Sequence, residues 1–496
     1  MHDRDAGGDR QGTQAVEAHA VPGRPRAGRR GHPVAPLPPR PLPRVPQGRP
    51  GGPAGAAGVE GRRNMITVVG TGTGAAPAES LAGAELVVGG RRHLDAVRLP
   101  EAAERIVLGP LAPALDTMAE YLEKERRVVV LASGDPGFFG IVRVLAERFG
   151  PAALDVRPGV SSVATAFARV GLPWDDAVVV SAHGRDLRTA VNVCRAHPKV
   201  AVLTGPGTGP AALGAALAAG GAEEGRQAGA APSGPVARFP APLQRVLLVA
   251  SALGTRDERI ERVTLSEAAA RDWGTAVSVV LCLDESRVLG AVRTVAGPPS
   301  APAQWALEES EFAYRDSMIT KFEVRALALA RLGPRLGDLV WDVGAGSGSV
   351  AVECARLGAA VVAVEKAADG VERIRANAAA HEVDVQVVHG SAPDALAELD
   401  DPDAVFVGGG GRELPGIVAM CARRARRSVV VAMAALDRVP AVRAALTDAG
   451  LDCDGVLLQS SRLAPLPGDV TRLAATNPVF LLWGVRNPVY REGVAQ

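Results

Sequence analysis

The sequence has few aromatic residues, few cysteines and almost no net charge. Aromatic residues make up 3% of the chain and the formal net charge is +1, so neither base stacking nor a positive field indicates a nucleic-acid partner. The five cysteines form no CxxC pair, which gives no indication of a zinc ribbon, a disulfide framework or another metal site. No apolar run approaches the roughly 18 residues that a membrane span requires. We therefore expect a reduced, cytoplasmic protein without a membrane span or a bound metal.

The chain opens with a segment rich in proline and arginine. Residues 1–64 contain 11 Pro and 11 Arg against 5 acidic residues, and they show no hydrophobic period. Such a segment cannot bury enough apolar surface to offset the entropy lost on ordering, and it lacks the apolar core of a signal peptide. Three interpretations stay open: a disordered basic tail, a start site assigned too early with Met65 as the true start, or a functional arm.

From Met65 onward, short buried strands alternate with helices, which predicts an α/β protein with mainly parallel sheets. Strands are expected at residues 65–69, 86–89, 128–132, 177–181 and 200–204, with helices near 111–124 and 141–149. Residues 205–252 are rich in Gly, Ala and Pro and allow no assignment. Order is expected to return near Leu253, with a closing strand at 276–283 and a linker at 286–312.

A second α/β unit is predicted from residue 313 to the end of the chain. Strands are expected at residues 339–343, 360–365, 385–389, 404–407, 429–432 and 479–483, and helices at 321–332, 349–357 and 371–381. This alternation is typical of a doubly wound sheet. A chain of 496 residues is long enough for these two domains.

A glycine-rich turn follows the strand at 339–343. It reads Gly344-Ala345-Gly346-Ser347-Gly348, so the glycines are spaced GxGxG and not GxGxxG as in NAD sites. Asp342 lies two residues before the first glycine and fits a cationic ammonium better than a pyrophosphate. Glu365 ends the next strand, where a carboxylate can accept both hydroxyls of a ribose. The pattern predicts an S-adenosylmethionine site; the alternative is a tight strand–helix turn with a surface glutamate.

Three further motifs resemble the decarboxylating precorrin methyltransferase family. Asp316 with residues 318–326 resembles its ITKxEVRA motif, residues 403–411 resemble DAxFxGGxG, and residues 477–480 read NPVF. The resemblance implies a class I, Rossmann-like methyltransferase in which Thr320, residues 344–348, Glu365 and Ala392 line the cofactor site. A nucleic-acid methyltransferase is the alternative, but Gly408–Gly411 stands where amino-methylating DNA enzymes carry a [DNS]PP[YFW] tetrad.

Residues 65–283 resemble the tetrapyrrole methylase family, which has two subdomains and its own S-adenosylmethionine site. Motifs that carry the resemblance lie at residues 70–72, 133–140 (SGDPxFxG), 158–162 (PGxSS), 180–185 and 203–205. The resemblance implies a cofactor site lined by Gly70, Gly72, Ser133, Gly134, Asp135, Ser161 and Ser162. Residues 70–75 read GTGTGA and so depart from the family's GIGxDG motif. Residues 221–250 do not resemble its expected strand and helix, as an insertion or an altered reading frame would explain.

The order of the two domains resembles the bifunctional precorrin C(5,15)-methyltransferases of cobalamin biosynthesis. That resemblance implies two S-adenosylmethionine sites, a precorrin tetrapyrrole substrate and self-association. It also implies methylation at carbon 5 by residues 65–285, and methylation at carbon 15 with decarboxylation of the ring C acetate by residues 313–496. No catalytic residue is identified, because positioning of the cofactor carries the chemistry.

The carboxylates of such a substrate call for cationic side chains. Candidates are Lys321 and Arg325 at the mouth of the second site and Arg412, Arg462 and Arg472 on later loops, each with the alternative of a solvated surface charge. Two other functions stay open: a class I methyltransferase acting on RNA or another small molecule, and a first domain that only binds.

Overall fold

The computed structural model describes residues 65–72, 76–219, 245–274, 278–290, 296–297, 304–315 and 319–486. The segment 1–64, the second half of the run 70–75 that departs from the family motif, and Asp316 and Met318 lie outside the described residues. Within these ranges, no helix has the length and hydropathy needed to cross a bilayer.

The first subdomain is a parallel sheet covered by helices. Its elements are β1 (Ile66–Gly70), α1 (Ala78–Leu81), β2 (Leu86–Gly89), α2 (Arg91–Asp95), β3 (Glu104–Val107), α3 (Leu111–Glu123), β4 (Val128–Ala132), α4 (Val142–Phe149) and β5 (Leu154–Arg157). The strands lie in the order β3-β2-β4-β1-β5, and every pair is parallel. The carboxyl ends of β1, β2 and β4 therefore meet at one edge, where the loops that follow them can form a site.

The second subdomain is a mixed sheet. Its elements are α5 (Ser162–Val170), β6 (Val178–Ser181), α6 (Leu187–Ala196), β7 (Lys199–Leu203), α7 (Pro210–Ala219), β8 (Arg245–Ser251), β9 (Arg259–Thr264), α8 (Leu265–Ala270) and β10 (Ser278–Asp284). The order is β6-β7-β10-β8-β9, with β6 and β7 parallel and the other pairs antiparallel. Every residue of β10 is buried, because this strand lies at the centre of the sheet.

Part of the unassigned stretch is regular structure. Helix α7 packs closely on α8, since a Cβ on Gly214 would lie 2.7 Å from the carbonyl oxygen of Leu265. The expectation that order returns only near Leu253 is wrong, because β8 begins at Arg245 and pairs with β10 and β9. The strand was not predicted because the residues before it are rich in Gly, Ala and Pro, although β8 itself is a run of buried apolar residues. Residues 220–244 lie outside the described residues.

The C-terminal domain is a doubly wound sheet with an antiparallel edge. Its elements are α9 (Phe322–Leu332), β11 (Leu339–Val343), α10 (Ser349–Arg356), β12 (Ala360–Glu365), α11 (Ala368–Ala380), β13 (Gln386–His389), β14 (Ala404–Val407), α12 (Leu414–Arg424), β15 (Ser428–Met433), α13 (Val439–Asp448), β16 (Asp452–Leu458), β17 (Ser461–Leu466), β18 (Val470–Ala475) and β19 (Val479–Val485). The order is β13-β12-β11-β14-β15-β19-β16, with β19 antiparallel to both neighbours, and β17 and β18 form a separate hairpin. The winding direction reverses between β11 and β14, which is where such sheets bind ligands. The predicted α/β class with a Rossmann-like C-terminal domain is confirmed.

The predicted linker is too long at its C-terminal end. Ala306, Leu307 and Phe312 are buried, and the Glu353 carboxylate on α10 accepts hydrogen bonds from the backbone N–H groups of Ala306 and Leu307. Residues 304–312 therefore pack on the C-terminal domain. Nothing in the sequence indicated this contact, because the residues just before 304 are rich in Pro and Gly and are typical of a linker.

Helix α6 of the second subdomain contacts the C-terminal domain through charged side chains. The Arg188 guanidinium donates to both carboxylate oxygens of Asp403, at 2.9 and 2.8 Å. Arg195 donates to Asp400 at 2.9 Å, and the Asn192 amide donates to the Gly337 carbonyl at 3.0 Å. These bonds hold the two domains against each other.

Candidate functional site

The glycine turn after β11 requires glycine at each of its three glycine positions. Gly344, Gly346 and Gly348 have φ values of +71°, +59° and +73°, in the left-handed region that side chains disfavour. The N–H groups of Gly344 and Ala345 donate to the Val364 carbonyl, at 2.9 and 3.2 Å. The turn is thereby tied to β12 and to the residue before Glu365.

Glu365 lies directly against this turn. Its Oε2 accepts a hydrogen bond from the N–H of Gly346 at 2.8 Å, and its Oε1 accepts one from Ala367 at 2.9 Å. Each carboxylate oxygen has a second lone pair, so both can still accept a ribose hydroxyl. A Cβ built on Gly346 meets no atom within 4 Å, so the space beside the turn is open to a ligand.

Asp342 is buried beneath the turn, with 1% of its surface exposed. Its Oδ2 accepts a hydrogen bond from Ala351 at 2.9 Å, and its Oδ1 has no hydrogen-bond partner among the described residues. Burial, reinforced by the nearby charge of Glu365, raises the pKa of Asp342 to about 7. An orphaned carboxylate oxygen beside an open turn fits a cationic ligand group, reached directly or through water.

The other predicted cofactor residues have different neighbours. Ser347 is buried, and its carbonyl accepts a hydrogen bond from Asn377 on α11. The loop carrying Ala392 is joined to Glu365 by a 3.0 Å bond from the Gly390 N–H to the Glu365 carbonyl. The Thr320 carbonyl accepts a hydrogen bond from Arg325 at 2.6 Å.

The glycines after β14 pack against the glycine turn after β11. The Gly408 N–H donates to the Val343 carbonyl at 2.9 Å. A Cβ on Gly344 would lie 3.1 Å from the backbone nitrogen of Gly409, so the two glycine loops pack backbone against backbone. This close approach leaves no bulky side chain at the carboxyl end of β14.

Two of the predicted substrate-binding arginines are committed to the protein itself. Arg325 is fully buried, its Nε lies 3.3 Å from Glu353, and it donates to the Thr320 and Leu307 carbonyls. Its placement at the mouth of the site is therefore wrong, because this face of α9 points into the core. Arg462 pairs with Glu309 and Glu323, at 2.8 and 2.7 Å, and is also unavailable. The Arg462 guanidinium lowers the pKa of Glu309 to about 2.

The remaining cations are free of acidic partners among the described residues. Lys321 is half-buried at the N-terminus of α9, Arg412 is exposed in the 3-10 turn Gly411–Glu413, and Arg472 is exposed on β18. They remain predicted substrate ligands.

Three loops of the first domain converge at the carboxyl edge of its parallel sheet. A Cβ on Gly70 would lie 2.4 Å from both the Gly134 carbonyl oxygen and the Gly159 nitrogen. The Gly134 N–H donates to the Gly72 carbonyl at 3.1 Å. Motifs that are far apart in the sequence therefore meet backbone to backbone, as expected if they line one site.

The polar residues of these loops have different partners. Asp135 accepts a hydrogen bond from the Gly137 N–H at 2.8 Å, and Ser161 caps α5 by accepting one from Ala164 at 3.1 Å. Ser162 is the first residue of α5. Two predicted cofactor residues, Asp135 and Ser161, thus shape their own loops.

Ser133 belongs to a cluster that sequence reasoning missed. Its hydroxyl lies 2.5 Å from Nη2 of Arg92 and 2.8 Å from Nε2 of His93. His93 Nδ1 lies 3.3 Å from the Thr71 hydroxyl. Burial, followed by the charge of Arg92, lowers the pKa of His93 to about 4. The available signal was the position of residues 90–93, directly after the carboxyl end of β2.

Comparison with known proteins places both halves of the chain in tetrapyrrole chemistry. Residues 65–269 match the tetrapyrrole (corrin/porphyrin) methylase family, and residues 311–485 match the precorrin methyltransferase domain family. A "cobalt-precorrin-7 C(5)-methyltransferase" of Salmonella typhimurium is 35% identical over 153 residues, covering 29% of this chain and 74% of the relative. A "probable cobalt-precorrin-6B C(15)-methyltransferase (decarboxylating)" of Pyrobaculum calidifontis is 38% identical over 170 residues, covering 33% and 87%.

A third relative spans both domains. The "precorrin-6Y C(5,15)-methyltransferase [decarboxylating]" of a Sinorhizobium species is 35% identical over 362 residues, which cover 70% of this chain and 79% of the relative. The chain therefore belongs to the family of decarboxylating precorrin-6Y C(5,15)-methyltransferases, enzymes that use S-adenosyl-L-methionine.

Proposed function

We propose that this chain methylates precorrin-6Y at carbons 5 and 15 and removes carbon dioxide from the ring C acetate, giving precorrin-8X. The observation that supports this proposal is that glycine-rich loops meet backbone to backbone in both domains, each time at the carboxyl ends of parallel strands. The first domain, residues 65–285, acts at carbon 5. The second, which begins no later than Gln304, acts at carbon 15 and in the decarboxylation.

Each domain binds its own S-adenosylmethionine. In the second site, Glu365 accepts the ribose hydroxyls, the turn 344–348 provides the backbone wall, and Asp342 balances the ammonium charge. In the first site, the converging loops at Gly72, Gly134 and Gly159 provide the wall. The bound cofactor supplies an electrophilic methyl group, so the chain needs no nucleophile of its own.

The contribution of the protein is orientation of the electron-rich macrocycle carbon toward the methyl group. Such positioning is worth on the order of 7–11 kcal/mol. Methylation at carbon 15 leaves an electron-poor conjugated system in the substrate. That system accepts the electron pair released when the acetate carboxylate leaves as carbon dioxide, so the decarboxylation requires no metal.

The cations left unpaired at the second site bind the substrate carboxylates. Lys321, Arg412 and Arg472 have no acidic partner among the described residues, in contrast to Arg325 and Arg462. A guanidinium or ammonium without an acidic partner can provide the charge-assisted hydrogen bonds that carboxylates accept. Nucleic acid is not expected as a substrate, since the net charge of the chain is only +1.

The chain also self-associates and acts in the reducing cytoplasm. Leu463 and Leu473 face each other across the hairpin of β17 and β18, and they are 79% and 67% exposed. Exposed apolar side chains on such a projection favour a protein contact. All five cysteines are free thiols, in keeping with a reducing compartment.

Product analysis of the full chain tests the proposed reaction. The protein is incubated with precorrin-6Y and methyl-labelled S-adenosylmethionine, and methyl positions are assigned by NMR while released carbon dioxide is trapped. We expect two labelled methyl groups and one carbon dioxide per substrate. A product with one methyl group would contradict dual activity, and labelling of RNA instead would favour the alternative substrate class.

A further inference from the structure

Arg92 carries a charge that no described acidic residue neutralises. Its Nε donates to His93 Nε2 at 3.1 Å and its Nη2 donates to the Ser133 hydroxyl at 2.5 Å. Both partners are neutral acceptors. The side chain is exposed, so the guanidinium faces solvent while its orientation is fixed by two bonds.

The hydrogen bonds around His93 fix its protonation state. The Thr71 hydroxyl donates to the Ala132 carbonyl at 3.2 Å, so it can only accept from His93 Nδ1–H. Nε2 is then the unprotonated nitrogen, free to accept from Arg92 and from the Ser133 hydroxyl. A second proton on the ring would oppose the Arg92 N–H, which agrees with the lowered pKa of His93. The network thus orients a cation with neutral groups alone.

This oriented cation stands beside the loops of the first site. Thr71 lies between Gly70 and Gly72, and Ser133 precedes Gly134, whose N–H donates to the Gly72 carbonyl. Arg92 is therefore bonded to the same loop that packs against Gly70. A guanidinium in this position matches a carboxylate, which it can bind through paired N–H groups.

We propose that Arg92 binds a carboxylate at the first site, from a tetrapyrrole side chain or from the amino-acid end of the cofactor, and that His93 is a positioning residue acting through Arg92. This inference rests on the proposed function, in which the first site methylates carbon 5. It adds a ligand-binding residue that lies outside the five motifs of the first domain.

Steady-state kinetics of the full chain test the role of Arg92. Carbon-5 and carbon-15 methylation are followed separately, with Arg92→Ala and Arg92→Lys compared with Arg91→Ala, the exposed neighbour on the same helix. For Arg92→Ala we expect the KM of the ligand that supplies the carboxylate to rise on the order of 10- to 100-fold for carbon-5 methylation. Arg92→Lys should recover part of this loss, and Arg91→Ala should have no effect.

The identity of the carboxylate follows from which KM changes. A rise confined to precorrin identifies a tetrapyrrole carboxylate, and a rise confined to S-adenosylmethionine identifies the cofactor. Unchanged KM values for both in Arg92→Ala would overturn the inference, as would an equal loss in Arg91→Ala. If the unmodified chain fails to methylate carbon 5, the proposed function itself fails, so the two failures are distinguishable.

The role of His93 is tested by a double-mutant cycle. His93→Ala should raise the same KM by a smaller factor and leave the carbon-15 reaction unchanged. In the Arg92→Ala background it should have no further effect, because its only action is through Arg92. Independent, multiplicative effects on KM, or a fall in kcat at both carbons, would show that His93 does not act by positioning Arg92.

Discussion

Replacing Arg325 with methionine should destabilise the C-terminal domain without weakening substrate binding. The guanidinium and the Glu353 carboxylate are both fully buried, with Nε 3.3 Å from Oε1. Removing the arginine leaves a buried carboxylate without its main counter-charge. Breaking a buried ion pair in this way costs about 3–5 kcal/mol.

The lower end of that range applies here. Glu353 keeps hydrogen bonds from the Ala306 and Leu307 N–H groups and an ion pair with Arg356 at 3.3 Å. For a domain of this size, about 3 kcal/mol corresponds to a fall in Tm of roughly 6–12 °C. The loss is expected in the thermal transition of the C-terminal domain.

Calorimetry and carbon-15 kinetics together test this reasoning. Arg325→Met should lower Tm and leave the KM for precorrin unchanged. Lys321→Met should leave Tm unchanged and raise the KM for precorrin. The double variant Arg325→Met with Glu353→Leu should recover much of the lost stability, because neither charge is then left buried alone. An unchanged Tm with a raised KM in Arg325→Met would refute the structural role and restore Arg325 as a substrate ligand.

Three further predictions concern the turn and the domain contact. Burial raises the pKa of Asp342 to about 7, so the folded chain holds this proton more tightly than the unfolded chain, whose pKa is near 4. The contribution of this proton to the free energy of unfolding is complete below pH of about 4 and is lost as pH rises through about 7. Cofactor binding at pH 7 should expel about half a proton, measured by calorimetry in two buffers; no release, or the same release in Asp342→Asn, would contradict the assignment. Gly348→Ala should cost about 1–3 kcal/mol and weaken cofactor binding, since φ is +73° and the added Cβ would lie 3.0 Å from Ile374; unchanged unfolding and binding would contradict this. A double-mutant cycle on Arg188 and Asp403, read by denaturant unfolding, should give about 1–3 kcal/mol of coupling, and zero coupling would show that this contact does not join the domains.

The central strands and the second cofactor turn were predictable from local patterns. The run 339–343 is apolar apart from Asp342 and is followed at once by the turn 344–348, which has glycine at every second position. The structure gives each of these three glycines a left-handed φ. Pattern and structure agree because both depend on a few adjacent residues. The same holds for Glu365, which ends the short apolar run that forms β12.

Contacts between distant residues were not predictable in this way. Lys321 and Arg325 lie one helical turn apart, yet only Arg325 is buried, because Glu353 on another helix pairs with it. Arg462 likewise meets Glu309 and Glu323, which precede it by more than a hundred residues. Strand β8 was missed since a Gly-, Ala- and Pro-rich stretch precedes it, although its own residues are those of a buried strand.

Equilibrium binding of labelled S-adenosylmethionine to the full chain is the most direct test of the two-site account. The unmodified chain should bind two cofactor molecules. Glu365→Ala should bind only one at the same free concentration, because the second site loses a carboxylate that orients both the glycine turn and the ribose. Binding of one cofactor by the unmodified chain, or of two with unchanged affinity by Glu365→Ala, would contradict the account.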